Sequence, residues 1–329
     1  RYTDIWNDLT HKMGYWVDMN DPYITYKSKY MESVWWLLGQ IYSKDLMYKG
    51  YTIQPYSPKA GTGLSSHAIN QPGCYRDVTD TTCVAQFKVK AGESVPFENA
   101  NLDQLHILAW TTTPWTLPGN VALAVGEDIT YVTVQYEGSK YIVAKQLVEQ
   151  VFIDKEYIHI GECLGKDLVG KAYKPVFDYY AADESLENRE NGWKIYAADF
   201  VTTEDGTGIV HIAPAFGADD MELGKAHKLP FVQHVGMDGV MKSEVTDFEG
   251  LAVKKKGDTM STDIEIVKWL AHNDALFAKK KYVHSYPLCW RCKTPLLNYA
   301  TKSWFIDVPS IKEKLLANNA KTEWVPEHL

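Results

Sequence analysis

Ile129-Thr-Tyr-Val-Thr-Val-Gln-Tyr-Glu-Gly-Ser-Lys-Tyr-Ile-Val-Ala144 alternates apolar and polar residues up to Glu137-Gly138 and turns apolar again from Tyr141. A period of two sends successive side chains to opposite faces of a sheet, and the Glu-Gly pair supplies a turn. The stretch therefore predicts a β-hairpin. The same character continues outward from it. Cys83-Val-Ala-Gln-Phe-Lys-Val-Lys90 alternates, Leu105–Ala109 is an apolar strand candidate, and Gly208-Ile-Val-His-Ile-Ala213 is another. Helical spacing shows in Asp219–His227 and Asp263–Ala271. Short strands broken by turns, with few helices, predict an α+β fold: a barrel-like antiparallel sheet with flanking helices, over residues 66–282.

The flanks read differently. Tyr30-Met-Glu-Ser-Val-Trp-Trp-Leu-Leu-Gly-Gln-Ile-Tyr42 puts Val34, Leu37, Leu38 and Ile41 on one helical stripe, widened by Trp35 and Trp36. Gly50 is a candidate stop for that helix. Gln54-Pro-Tyr-Ser-Pro-Lys-Ala-Gly-Thr-Gly63 reads as a linker or hinge. After Val283 the chain is again rich in proline and aromatic residues. Residues 1–65 and 283–329 thus read as two connecting segments of one helical, aromatic host around an inserted domain.

A chain of 329 residues suits one large domain plus a smaller one, and 45% hydrophobic with 23% charged residues is ordinary for a soluble globular protein. No apolar run approaches the ~20 residues that span a bilayer. Nothing at the start resembles a signal peptide, and Arg1-Tyr-Thr-Asp reads like mid-protein sequence, so the chain is expected to be a fragment. A net charge of −8 argues against a general nucleic-acid-binding surface. Two basic runs remain, Lys254-Lys255-Lys256 and Lys279-Lys280-Lys281. The plainer reading of each is solvated surface lysines, and the functional one is phosphate steering. Five scattered cysteines make no disulfide framework and fit a reducing compartment.

Three segments carry candidate chemistry. Trp110-Thr-Thr-Thr-Pro-Trp-Thr-Leu-Pro-Gly-Asn120 follows a strand candidate, and its prolines stiffen a loop rich in hydroxyls and backbone donors. Hydroxyls suit a ribose, a terminal adenosine or an attacking water, but none is a nucleophile without a partner base. On composition alone, a threonine turn that caps its own backbone is the simpler reading. In Asp205-Gly-Thr-Gly-Ile-Val-His-Ile-Ala-Pro-Ala-Phe-Gly-Ala-Asp-Asp220, His211 sits on a strand and Asp219-Asp220 at a helix start, where the dipole favours carboxylates. The simpler reading is a packed histidine and an N-cap. Cys289-Trp-Arg-Cys292 supplies two thiols, with His284 upstream, whereas zinc takes four ligands.

Together these segments resemble the isoleucyl-tRNA synthetases, class I enzymes with an editing (CP1) domain inserted into a Rossmann-type catalytic fold. The resemblance is carried by Trp110–Asn120, by Gly206–Asp220 and by Cys289-Trp-Arg-Cys-Lys-Thr-Pro295. Gly14-Tyr-Trp-Val-Asp18, Glu32-Ser-Val-Trp-Trp36 and Leu46-Met-Tyr-Lys-Gly-Tyr51 match the connective segment before the insertion. Valyl and leucyl relatives carry Arg-Pro after two threonines, where Thr113-Pro114-Trp115 stands here. The family's HIGH-like and KMSKS-like ATP motifs and its anticodon-binding region are absent. Ser57 and Ala60 occupy positions where many members carry the cysteines that complete a zinc knuckle.

What the resemblance implies is post-transfer editing: hydrolysis of valine mischarged onto isoleucine tRNA. A hydrophobic pocket rejects a substrate lacking one methylene by only ~1–3 kcal/mol, a range for which isoleucine against valine is itself the usual illustration. A second site that admits valine and excludes isoleucine supplies the rest. By resemblance, Asp220 holds the substrate ammonium, and Thr111, Thr112 and Thr113 contact the terminal adenosine and the ester. His211 limits side-chain size and positions the ester, while Trp110, Thr116 and Asn120 shape the loop. Thr112, His211 and Asp220 are the expected catalytic set, with no obligatory protein base. The expected partners are the valine-charged 3′ end of isoleucine tRNA and the rest of a parent synthetase, in a cytoplasmic monomer without a membrane. ATP and magnesium belong to the parent, no cofactor is expected in this chain, and zinc is doubtful. Three other readings remain: a valyl or leucyl editing domain, a non-catalytic tRNA-binding module, and a structural α+β domain whose threonines and aspartates are only caps.

Overall fold

In the computed structural model, which describes residues 2–97 and 104–326, the alternating stretches become sheet. Strands run in chain order as β1 (Met47–Ser57), β2 (Thr62–Gly63), β3 (Tyr75–Lys88), β4 (Leu105–Thr111), β5 (Ala122–Val125), β6 (Thr130–Tyr136), β7 (Ser139–Ala144), β8 (Ile158–Leu164), β9 (Lys194–Ala197), β10 (Val210–Ile212), β11 (Leu276–Pro287) and β12 (Leu297–Ile306). Helices longer than one turn are α1 (Tyr2–Lys12), α2 (Ser28–Tyr42), α3 (Ala218–His227), α4 (Ser261–His272) and α5 (Lys312–Asn319). None of them is long and apolar enough to cross a membrane. The chain divides into two compact units, Arg1–Gly50 with Lys302–Leu329, and Tyr51–Thr301.

The larger unit is a mixed α+β domain around one curled sheet. The hairpin expected at Glu137-Gly138 is β6–β7, with Tyr136 opposite Ser139. Glu137 and Gly138 have φ of 46° and 82°, as a two-residue turn matched to strand twist requires. The sheet order is β8-β6-β7-β4-β10-β5-β9, with β3 on β4 and β11 on β3. Five of these pairings are antiparallel. The pairs β4–β7, β4–β10 and β5–β9 are parallel, so the sheet is mixed where an antiparallel one was expected. Strand β4 is its branch point. One edge carries β3, while the other is divided between β7, at Leu105–Ile107, and β10, at Trp110. Dividing one edge between two strands curls the sheet into a half-barrel. All four residues of β5 are buried, as befits a strand covered on both faces. Helix α4 lays Ile266, Val267 and Leu270 onto this core.

Two local expectations are corrected. Helix α2 ends at Tyr42, not Gly50, and Met47–Ser57 is strand, in keeping with its Tyr48, Tyr51 and Ile53. Gln54–Gly63 is not a hinge, since Tyr56 pairs with Gly63 and Ser57 with Thr62. Proline is tolerated there because Pro55 has only its carbonyl to offer, and that carbonyl accepts from Leu64 N at 2.7 Å. In the smaller unit, α1, α2 and α5 bury no residue, and Trp35 and Trp36 are exposed.

Candidate active site

The threonine loop begins where β4 ends. Thr111 closes the strand, Thr112 and Thr113 follow, and Pro114–Gly119 forms a fully buried 3₁₀ turn with proline at its start. The turn is pinned at Trp115 from two sides. Its N–H donates to Asp263 Oδ1 at 3.0 Å, and its carbonyl accepts from His234 Nε2 at 2.8 Å. The carbonyl fixes the proton of His234 on Nε2, and burial holds that imidazole neutral, with its pKa pulled down to about 4. Gly119 is required at the end of the turn, because a Cβ there would lie 2.5 Å from His234 Nδ1.

Behind Asp263 stands an ion cluster that nothing in the sequence announced. Lys254 Nζ lies 2.9 Å from Asp263 Oδ2 and 2.8 Å from Asp80 Oδ2, with all three side chains at most 3% exposed. His284 Nε2 bonds the same Asp80 oxygen at 3.1 Å. Burial raises the Asp263 carboxyl above its usual range, and Lys254 opposes that shift. The first basic run is therefore not simply solvated, and its first lysine serves no phosphate. Lys254 is the counter-ion that lets a buried carboxylate hold the Trp115 amide.

A chain of polar contacts runs through the loop. Thr113 N donates to Thr111 Oγ1 at 3.1 Å, and Thr111 Oγ1 lies 3.4 Å from Thr113 Oγ1, itself 3.3 Å from Thr116 Oγ1. Thr116 Oγ1 donates to Thr113 O at 2.8 Å and so receives the proton of His211 Nε2, also 2.8 Å away. Asn120 Nδ2 faces His211 Nδ1 at 3.5 Å. Burial, then the neighbouring His234, pulls the His211 pKa down to about 4. Both of its nitrogens are engaged and it is neutral at pH 7, so it is a wall and a donor rather than a free base. The hydroxyl of Thr112 makes no hydrogen bond among the described residues and is available to a ligand.

The two adjacent carboxylates separate cleanly. Gly217, not an aspartate, is the N-cap of α3. Asp219 is exposed in the first turn, where it suits the dipole. Asp220 turns inward, and its Oδ2 accepts from Ala213 N at 2.7 Å, tying the helix start to the end of β10. A Cβ on Gly217 would meet Asp220 Cγ at 2.7 Å, so glycine makes room for this carboxylate. Burial pushes its pKa up to about 6, against the Ala213 hydrogen bond and with help from Asp219.

These groups surround one cavity of about 310 Å³, near the lower end of ligand pockets, ~300 Å³ upward. Trp110, Thr111, Thr112, Thr113, Thr116, His211 and Asp220 all line it, with Val210, Ala213 and Phe216 as apolar wall. Asn120 does not line the cavity. It is buried beneath it, accepting from Tyr173 Oη at 2.7 Å and donating to Ala122 O at 2.9 Å, which makes it a support for His211. The walls come from two strands that are parallel neighbours, Trp110 beside Val210, which brings two distant sequence segments together.

Cys289 and Cys292 lie apart from this cavity. Ser57 Oγ lies 3.6 Å from Cys292 Sγ and Thr294 Oγ1 2.9 Å from it. Burial raises the Cys292 thiol, but the hydrogen bonds of Thr294, Ser57 and Cys289 outweigh it and bring the pKa to about 7. Among the described residues, no three His, Cys, Asp or Glu side chains gather as a metal site. Two thiols beside two hydroxyls do not fit tetrahedral zinc.

Comparison with known proteins extends across the chain. The family model of the class I tRNA synthetases (I, L, M and V) matches residues 1–329. The chain is 43% identical over 329 residues to the isoleucine–tRNA ligase of Clostridium novyi, covering 100% of this chain and 29% of that protein. It is 44% identical over 328 residues to that of Clostridium acetobutylicum, again covering 100% and 29%. It thus spans 29% of the length of these curated relatives. A solved structure, GlLeuRS-CP1, is 16% identical, covers 61% of this chain and 99% of its own, and superposes with a TM-score of 0.45.

Proposed function

The chain belongs to the class I tRNA synthetases (I, L, M and V), and on that premise we propose that its threonine-lined cavity hydrolyses valine from mischarged isoleucine tRNA. The observation that carries the reading is the pairing of an inward carboxylate, Asp220, with an unpartnered hydroxyl, Thr112, across one small cavity. An aminoacyl ester presents an ammonium group and a carbonyl a few bonds apart, and these two groups answer that pattern. With a pKa of about 6, Asp220 is mostly ionised at pH 7 and takes the ammonium on lone pairs not used by Ala213 N–H.

In the reaction a water adds to the ester carbonyl, the carbon–oxygen bond to the ribose breaks, and the products are valine and a free terminal hydroxyl. Thr112 holds the ester or the adenosine. His211, held neutral, donates to Thr116 and sets the rear wall. No side chain lining the cavity is both free and basic enough to be an obligatory base, so positioning of the water carries the catalysis. Val210 and Phe216 are the apolar lining against which the side chain would rest, and the reading requires that this wall admit valine and exclude isoleucine.

The test is release of amino acid from valyl- and isoleucyl-tRNA(Ile) by the full chain, without ATP. Valyl-tRNA should be hydrolysed well above the uncatalysed rate and isoleucyl-tRNA near it. Equal rates on the two would leave a deacylase without the sieve, and no rate on either would overturn the reading.

A further inference from the structure

Trp110 bounds a second cavity. Separate from the threonine-lined one, it measures about 210 Å³, and its walls include Val84, Trp110, Val151 and Ala278. The strand register explains the apolar floor, since Trp110 pairs with Val84 across β4–β3 and Val84 with Ala278 across β3–β11, one transverse row on one face. Its lining also includes Lys155, Lys279 and Lys280 beside neutral residues such as Thr82 and Gln150, with no carboxylate among the lining residues. Lys280 Nζ lies 5.7 Å from the Trp110 ring centre and 5.9 Å from that of Tyr282. In a chain of net charge −8, an apolar slot with an indole wall, three lysines in its lining and the Lys280 ammonium beside the indole is a local exception.

An apolar slot with an aromatic wall and a cationic rim complements a nucleotide, whose base stacks while its phosphate meets the cations. We propose that this cavity binds the nucleotide immediately 5′ of the terminal adenosine, with its base on Trp110 and its phosphate at Lys280. The assignment rests on the editing reading for the identity of the strand. It follows from the shared indole: Trp110 lines both cavities, so a strand whose last residue occupies the threonine-lined cavity has this slot beside it for the residue before. The second basic run then meets phosphate through Lys280, whereas Lys254 of the first is held between two carboxylates. Stacking tolerates any base, so the slot adds affinity and register without reading sequence.

The test needs no hydrolysis. Binding of the uncharged trinucleotide cytidylyl-cytidylyl-adenosine is compared with binding of adenosine, on the full chain and on Lys280→Glu and Lys280→Gln. Lys268→Glu, an exposed residue on α4, serves as the charge control. The trinucleotide should bind at least tenfold more tightly than adenosine. Lys280→Glu should remove that advantage, Lys280→Gln should reduce it, and Lys268→Glu should keep it, while adenosine affinity stays within twofold throughout. The salt dependence of trinucleotide binding should flatten by ~0.7 log units per log unit of salt for the lost phosphate contact. An unchanged trinucleotide advantage in Lys280→Glu overturns the proposal. So does an abasic trinucleotide binding as well as the intact one, which would reduce the slot to an anion site. If hydrolysis is absent but the trinucleotide pattern holds, the editing reading fails and the nucleotide site stands.

Discussion

Lys254–Lys256 and Lys279–Lys281 are identical as sequence, yet the first lysine of one run is buried while all three of the other are exposed. Lys254 is buried between two carboxylates in a left-handed backbone conformation, φ 50°. Lys279, Lys280 and Lys281 are exposed on β11, which among the described residues pairs with β3 alone, and an edge strand is where lysines discourage stray pairing. What separates the runs is what lies opposite. The threonine loop needs an acceptor for the Trp115 amide, that acceptor is a buried aspartate, and a buried aspartate needs a cation. A run of charges is legible in sequence as charge, but its surroundings are set by residues far away in the chain, here Asp80 and Asp263.

The largest expected effect breaks the comparison on its buried side. Lys254→Ala leaves Asp80 and Asp263 facing each other without a cation, and should destabilise the protein by ~3–5 kcal/mol in urea or thermal unfolding. The loss should shrink as pH falls. The sign follows from the carboxyls: burial already raises Asp263 and Lys254 opposes it, so without the lysine the native state takes up protons above the usual carboxylate range. The variant's stability is then recovered at low pH and lost as pH rises. Lys280→Ala, by contrast, should change stability by no more than ~0.5 kcal/mol. Similar losses from both would erase the distinction.

Next in size are the two aspartates, a second pair alike in sequence. Asp220→Asn keeps an oxygen for Ala213 N–H and removes the charge, so the fold should survive. Loss of the charge-assisted bond to the ammonium should cost ~2–5 kcal/mol in kcat/KM for valyl-tRNA hydrolysis. Asp219→Ala should keep the rate and lose at most ~1 kcal/mol of stability. The reverse pattern would mean that the exposed carboxylate is the working one.

A smaller effect sharpens the assignment through pH. The free enzyme needs ionised Asp220, so kcat/KM should fall as pH drops through about 6, and Asp220→Asn should flatten that limb. The stability contribution runs the other way: a raised carboxyl pKa favours the protonated fold at low pH, and that contribution is lost as pH rises through about 6. His211 and His234, at about 4, do not titrate in this window. An acid limb that persists in the asparagine variant would point to another group. The smallest expected effect is nil: a zinc chelator should leave the melting temperature unchanged, and elemental analysis giving one zinc per chain would contradict this.

Much of the sheet was readable because alternation is local. The β6–β7 hairpin, β3 and β4 follow from residues adjacent in sequence, and the α+β class with them. Strand β11 was not readable, because Lys279-Lys280-Lys281 obscures the period and its pairing partner lies some 200 positions away, Lys279 opposite Cys83. In the sequence the candidate cavity is two distant segments, 110–120 and 205–220, with nothing local to join them. It is the parallel pairing of Trp110 with Val210 that joins them. Asp263 was read only as part of a helix, since nothing in Ser261–His272 announces that its third residue points inward to a loop amide. Asn120 was assigned to the loop, and its bond to Tyr173 Oη is what places it below the cavity.

The most direct test of the central claim is a crystal structure of the full chain with a non-hydrolysable valyl-adenosine analogue. The account predicts the ammonium within hydrogen-bond distance of Asp220, the ester linkage beside Thr112, and the valine side chain against Val210 and Phe216. An analogue bound with its ammonium away from Asp220, or outside the threonine-lined cavity altogether, would contradict it.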